Sequence, residues 1–244
     1  MSIWGKIIGG VAGFAIGGPL GALLGVAAGH AVDRTRRGGA GMAEGGPGAR
    51  QAAFTVAVIV LSAKMAKSDG TVSRDEIKAF KQVFHIPAEE MGAVGKIFDA
   101  ARQDAHGFEP YARQVAQLFA HEPAVLEELL GGLFHIAQAD GAVHPAELEY
   151  LRKVAAIFGL DDTAFGRTRA GAAETADTDP YAVLGLTRDA GNDEIKQTYR
   201  KLIREYHPDT LIAKGLPQEF VDLANEKMSH INAAYDRIEK ERGL

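Results

Sequence analysis

The chain of 244 residues contains no cysteine. That excludes disulfides, thiol chemistry and cysteine-ligated zinc. It also lacks excess positive charge: the formal net charge is −5, which gives no basis for nucleic-acid binding. No phosphate-cradling loop, nucleophile elbow or His-Glu-x-x-His zinc helix occurs, so no catalytic chemistry or cofactor is expected. His85, His106, His121, His135 and His144 are scattered rather than grouped at ligand spacing. No convincing strand periodicity is present, which predicts an all-α protein.

Glycine, by contrast, is abundant and unevenly placed. Gly5, Gly9, Gly13, Gly17, Gly21, Gly25 and Gly29 form an unbroken four-residue repeat. Residues 7–29 are uncharged, and these 23 residues are long enough to cross a bilayer as a single N-terminal transmembrane helix. In lipid the backbone must satisfy itself, so helix is expected despite the glycines. Small residues at this spacing make a flat seam for a second helix, which predicts a homodimer contact. A re-entrant turn at Gly17-Gly18-Pro19 is the competing reading; a secretory signal or a disordered tail fits less well. Arg34, Arg36 and Arg37 follow the span and only Lys6 precedes it, which puts the N-terminus outside and the remaining chain in the cytoplasm.

The expected organisation is an anchor over 1–37, a Gly-rich linker over 38–50, a helical domain over 51–165, a second linker over 166–178 and a last unit over 179–244. The almost wholly apolar run 52–63 is too short to span, so it reads as a buried core helix. Further helical runs lie near 73–85, 88–105, 109–120, 124–138 and 145–158, predicting a bundle of six or seven helices. The second linker, rich in Gly, Ala, Thr and Asp, is expected to let the last unit swing.

An internal repeat lies within the helical domain. Asp69-Gly70-x-Val72-x-x-x-Glu76 recurs as Asp140-Gly141-x-Val143-x-x-x-Glu147 at an offset of 71. Asp69, Glu76, Asp140 and Glu147 are candidate ligands for a divalent cation, since each copy matches the second half of an EF-hand loop. The first half is absent, with Met65, Lys67, Ile136 and Gln138 where acids belong. The stronger reading is structural: a tight turn, a valine plug, and a helix opened by Ser73 with Glu76 or by Pro145. The paired turn resembles the TerB type of tellurite-resistance domain.

At the C-terminal end, Ile195, Tyr199, Leu202 and Tyr206 form an apolar stripe over 193–206. Lys196, Arg200 and Arg204 recur on another face, with Lys201 beside them. A second amphipathic run over 218–239 completes an antiparallel hairpin, with His207-Pro208-Asp209 at its loop end. Asp179-Pro180 supplies a helix start. This unit resembles a J-domain of the DnaJ family, through Tyr181-Ala-Val-Leu-Gly-Leu186, Tyr199-Arg-Lys-Leu202, His207-Pro208-Asp209 and Ala234-Tyr235. Thr210 departs from the family, where a basic residue usually follows the Asp.

The whole order resembles membrane-anchored, DnaJ-like co-chaperones of the DjlA type. That resemblance implies stimulation of a DnaK-type Hsp70 ATPase at the cytoplasmic face of a bacterial inner membrane. Lys196, Tyr199, Arg200, Lys201 and Arg204 would dock on the Hsp70, and His207, Pro208 and Asp209 would bias it toward hydrolysis. The chain would then activate a partner's enzyme without being one itself. The alternatives are a membrane signalling adaptor or a metal-responsive sensor working through the TerB-like domain.

Overall fold

The computed structural model of the chain describes residues 18–21, 47–67, 77–78, 80–81, 86, 88, 91–102, 107–139, 141, 143–172, 178–214, 216–217 and 220–244. Among them the regular elements are all helices: α1 (Pro47–Met65), α2 (Met91–Arg102), α3 (Glu109–Leu118), α4 (Pro123–Ala137), α5 (Pro145–Phe158), α6 (Asp162–Ala172), α7 (Pro180–Leu184), α8 (Asn192–Glu205), α9 (Pro208–Ala213) and α10 (Val221–Arg242). Proline stands in the first turn of α3, α4, α5, α7 and α9, where its missing N–H costs nothing and its fixed φ is already helical.

Helix α1 is the centre of the first domain. Every residue from Ala53 to Ala66 is buried, because α2, α3, α4 and α5 pack around it. A helix that is apolar on all sides needs neighbours on all sides. The run read as a core helix is therefore one, although it starts at Pro47, inside the segment expected to be linker. Lys64, near the end of the buried stretch, holds its ammonium 5.3 Å from the centre of the Tyr111 ring.

The second linker is corrected by the structure. Helix α6 continues through Gly166 to Ala172. Phe165 packs its ring 5.4 Å from that of Phe134, and Thr168 is buried beside it. One large apolar residue and two polar ones with partners on α4 are enough to bury one side of α6. A composition of Gly, Ala and Thr did not reveal this.

The C-terminal unit does not stand clear of the first domain. Phe220 is fully buried, with its ring edge-on to Phe54 of α1 at 4.7 Å. Gly132 on α4 makes room for it, since a Cβ there would lie 2.9 Å from the Phe220 ring. Gly185 ends α7 at φ +69° and lies against α6, where a Cβ would meet the Arg167 guanidinium at 2.9 Å. Gly132→Ala is expected to lower stability by about 1–3 kcal/mol, through overpacking at this seam. A denaturant titration checks it, and an unchanged midpoint would contradict the packing.

Of the expected membrane span, only residues 18–21 are described. They form one helical turn, with Leu20 buried and its N–H donated to the Gln114 Oε1 of α3 at 2.9 Å. The sequence placed these residues in lipid. Here the turn is seated on the helical domain, because the buried Gln114 amide accepts a donor that the start of a helix leaves open. The rest of the span lies outside the described residues, including Gly5, Gly9, Gly13, Gly17, Gly25 and Gly29 of the glycine seam. No helix among the described residues is long and apolar enough to cross a membrane.

Candidate functional site: an exposed tip and a cationic helix face

The C-terminal unit is built around the α8–α10 pair. Ile195 and Leu202 of α8 are buried against a core that includes Ile231, Ala234 and Ile238 of α10. Tyr199 stacks on Tyr235, with ring centres 4.0 Å apart and planes 16° apart. Its hydroxyl donates to Asn232 Oδ1 at 3.0 Å. Tyr199 thus packs within the hairpin and is half-buried.

Helix α7 closes one end of this pair. The Tyr181 N–H donates to the Asp179 carboxylate at 3.3 Å, as the Asp-Pro start led us to expect. In the last turn of α10, Arg242 reaches back to donate to the Tyr181 hydroxyl at 2.7 Å and the Ala190 carbonyl at 2.6 Å. It also donates to the Arg188 carbonyl. One arginine therefore ties the chain's end to both flanks of the loop before α8.

At the other end stands the tripeptide. It is not a plain loop: His207 caps a six-residue helix, α9, which the sequence reading missed. The Asp209 N–H donates to His207 Nδ1 at 3.2 Å, and the Leu211 N–H to the His207 carbonyl at 3.1 Å. Leu211 and Leu216 are buried and pin α9 down. The Pro that stops α8 also opens α9, and Asp in its first turn suits the helix dipole. The His207 and Asp209 side chains remain 48% and 88% exposed, so both can meet a partner.

The cationic face is open as well. Arg200, Lys201 and Arg204 are exposed and Lys196 is half-buried. Among the described residues none of the four is drawn into an ion pair. The tip and the face lie on consecutive elements, and among the described residues the charge is not compensated by ion pairs.

Immediately before the tip, Tyr206 points the other way. It is buried, and its hydroxyl donates to Glu127 of α4. Glu127 also accepts from Arg167 Nε at 2.9 Å, Arg167 Nη2 at 2.8 Å and the Thr168 hydroxyl at 3.1 Å. Lys227 of α10 crosses the same seam, 2.7 Å from Glu128 and 3.6 Å from Glu127, with its ammonium 3.8 Å from the centre of the Tyr206 ring. Burial alone would raise the Glu127 pKa. The Lys227 and Arg167 charges outweigh it, with the Arg167 and Tyr206 hydrogen bonds, and hold Glu127 down to about 2. Burial, with the Glu127 charge, pushes the Tyr206 phenol well above its usual range.

The sequence reading missed this cluster. Its one legible signal was the adjacent pair Glu127-Glu128 inside an otherwise apolar helix, where carboxylates need partners. By spacing Tyr206 belongs to the apolar stripe of 193–206, and Arg167 falls in the segment expected to be the second linker.

Of the repeated turns, only part of the second copy falls among the described residues. Gly141 takes φ +107°, Val143 packs against the core, and the buried Glu147 carboxylate accepts the His144 N–H at 2.9 Å, just ahead of α5. Glu147 is thus engaged in capping. Asp69, Glu76 and Asp140 lie outside the described residues. Among the described residues no group of three potential ligands comes together.

Comparison with known proteins finds a family for each part of the chain. Residues 179–242 match the DnaJ domain family, and residues 55–170 match the family described as tellurite resistance protein TerB. Residues 1–49 match the co-chaperone DjlA transmembrane domain. A co-chaperone protein DjlA of Shewanella oneidensis is 35% identical over 266 residues, covering 100% of both chains. That of Photobacterium profundum is 33% identical, over 99% of this chain and 100% of its own. That of Coxiella burnetii is 31% identical over 98% of each.

The chain belongs to the DjlA co-chaperone family.

No solved structure matches it at a comparable level. As a DjlA family member it is a J-domain co-chaperone, whose partner class is Hsp70 and which regulates that partner rather than catalysing a reaction itself. The transmembrane-domain match over 1–49 fits membrane anchoring, which the sequence had suggested.

Proposed function

We propose that this chain stimulates ATP hydrolysis by a DnaK-type Hsp70 at the cytoplasmic face of the inner membrane. The reading is carried by one observation: exposed His207 and Asp209 side chains flanking Pro208, beside four cations that form no ion pair among the described residues. Lys196, Arg200, Lys201 and Arg204 dock on an acidic face of the Hsp70 ATPase domain. The tip then contacts the hydrolysis-competent state better than the resting one, and so shifts its population. The anchor confines this action to the membrane surface, with the N-terminus periplasmic, and the glycine repeat pairs two copies of the chain.

The test is single-turnover ATP hydrolysis by the Hsp70, with and without the full chain in vesicles. Hydrolysis is expected to accelerate; an unchanged rate defeats the proposal. The half-saturating concentration should rise steeply between about 0.01 M and 0.15 M salt, as the Debye length falls from roughly 30 to 8 Å. Crosslinking in membranes checks the pairing: dimers should be lost on changing Gly13 and Gly17 to Leu.

A further inference from the structure

Tyr206 caps the end of α8 and His207 the start of α9, so the tip's orientation depends on a junction of only two residues. Within the C-terminal unit that junction is held by backbone bonds and by Leu211. A further restraint comes from outside it. The Tyr206 hydroxyl is bound by Glu127, which α4 presents and which is itself fixed by Arg167 and Thr168 of α6. The Glu127 side chain is 3% exposed, so water does not compete for it. A bundle stable without the C-terminal unit gains little by burying an ionised carboxylate. The same carboxylate has an evident use if it locks a second unit in one orientation.

We propose that Glu127, acting through Tyr206, is a positioning residue for the His207-Pro208-Asp209 tip, so that the TerB-like domain takes part in Hsp70 activation by pre-orienting the J-domain. This rests on the reading that the tip stimulates Hsp70. The restraint does not touch the Hsp70, so it sets how much of the chain is ready to bind rather than how fast the bound complex reacts. A protein ready only part of the time binds more weakly in proportion.

The experiment titrates the full-length protein in vesicles against Hsp70 in single-turnover hydrolysis, with Tyr206→Phe, Glu127→Gln and the double variant. Hydrogen exchange at the amides of 206–211 and the melting transition are recorded alongside. Tyr206→Phe removes one hydroxyl and leaves Arg167, Thr168 and Lys227 on Glu127, so it keeps the proposal testable even if Glu127→Gln folds poorly. The expected result is a roughly fivefold rise in half-saturating concentration, as for a tip competent about a fifth of the time. The maximal rate stays the same, exchange at 206–211 is faster, and the double variant adds nothing further. An unchanged half-saturating concentration in Tyr206→Phe overturns the proposal, as does a fall in maximal rate alone. If the unaltered chain fails to stimulate at all, the functional reading falls and takes this one with it. If the unaltered chain stimulates and Tyr206→Phe titrates identically, only the positioning role falls.

Discussion

Asp209→Asn is expected to abolish stimulation of Hsp70 while leaving the protein as stable as before. The two halves of that result have separate causes. The Asp209 side chain is 88% exposed, with its carboxylate 3.8 Å from His207 Nδ1. The bond that caps α9 comes from the Asp209 backbone N–H to His207 Nδ1, which an asparagine keeps. A surface change that removes no packing and no cap alters stability by less than about 0.5 kcal/mol. In a complex the carboxylate would be desolvated against a donor, and deleting one partner of such a pair costs about 2–5 kcal/mol, a loss of at least roughly thirtyfold. Matching melting curves with hydrolysis at the rate of Hsp70 alone is the expected pair of observations. Full stimulation by the variant would remove the tip from the mechanism.

Glu127→Leu should have the largest effect on stability. It leaves the Arg167 and Lys227 side chains, 15% and 16% exposed, facing an apolar residue. Removing one partner from a buried ionic cluster costs about 3–5 kcal/mol, because the remaining charges stay desolvated. Equilibrium urea unfolding measures this, and a loss well under 1 kcal/mol would show that the cluster is not formed in solution.

The same carboxylate gives the protein a specific acid sensitivity. Its pKa falls from an ordinary 4.5 to about 2 in the folded chain. A carboxylate depressed on folding contributes stability that is fully present above the unfolded value. The contribution shrinks as pH drops below 4.5 and is gone near 2, a total of about 3 kcal/mol. Stability curves of the unaltered protein and Glu127→Leu should therefore converge across that window. Parallel curves would contradict the assignment.

Some of this molecule is written locally. The Asp179-Pro180 start, the apolar stripe of Ile195 and Leu202, the run around α1 and the Gly141-to-Glu147 turn each depend on residues within a few positions of one another. Periodicity and capping disclose them without knowledge of the partner. The tip tripeptide and the basic face were legible for the same reason, since spacing along one helix sets what shares its surface. The extent of α6 was not legible, because its buried side is made by Phe165, Arg167 and Thr168 meeting residues about 30 to 40 positions away. Nor was α9, where one proline both ends a helix and begins another.

By itself the sequence determined an all-helical fold class, the family, and which residues share the tip and the cationic face. Only the tertiary structure decided that the two helical units share a seam, with Phe220 on Phe54 and Tyr206 and Lys227 on Glu127 and Glu128. The reason is physical. A buried polar group must be satisfied, but its chemistry does not say by whom, and here each partner lies roughly 40 to 100 positions away along the chain.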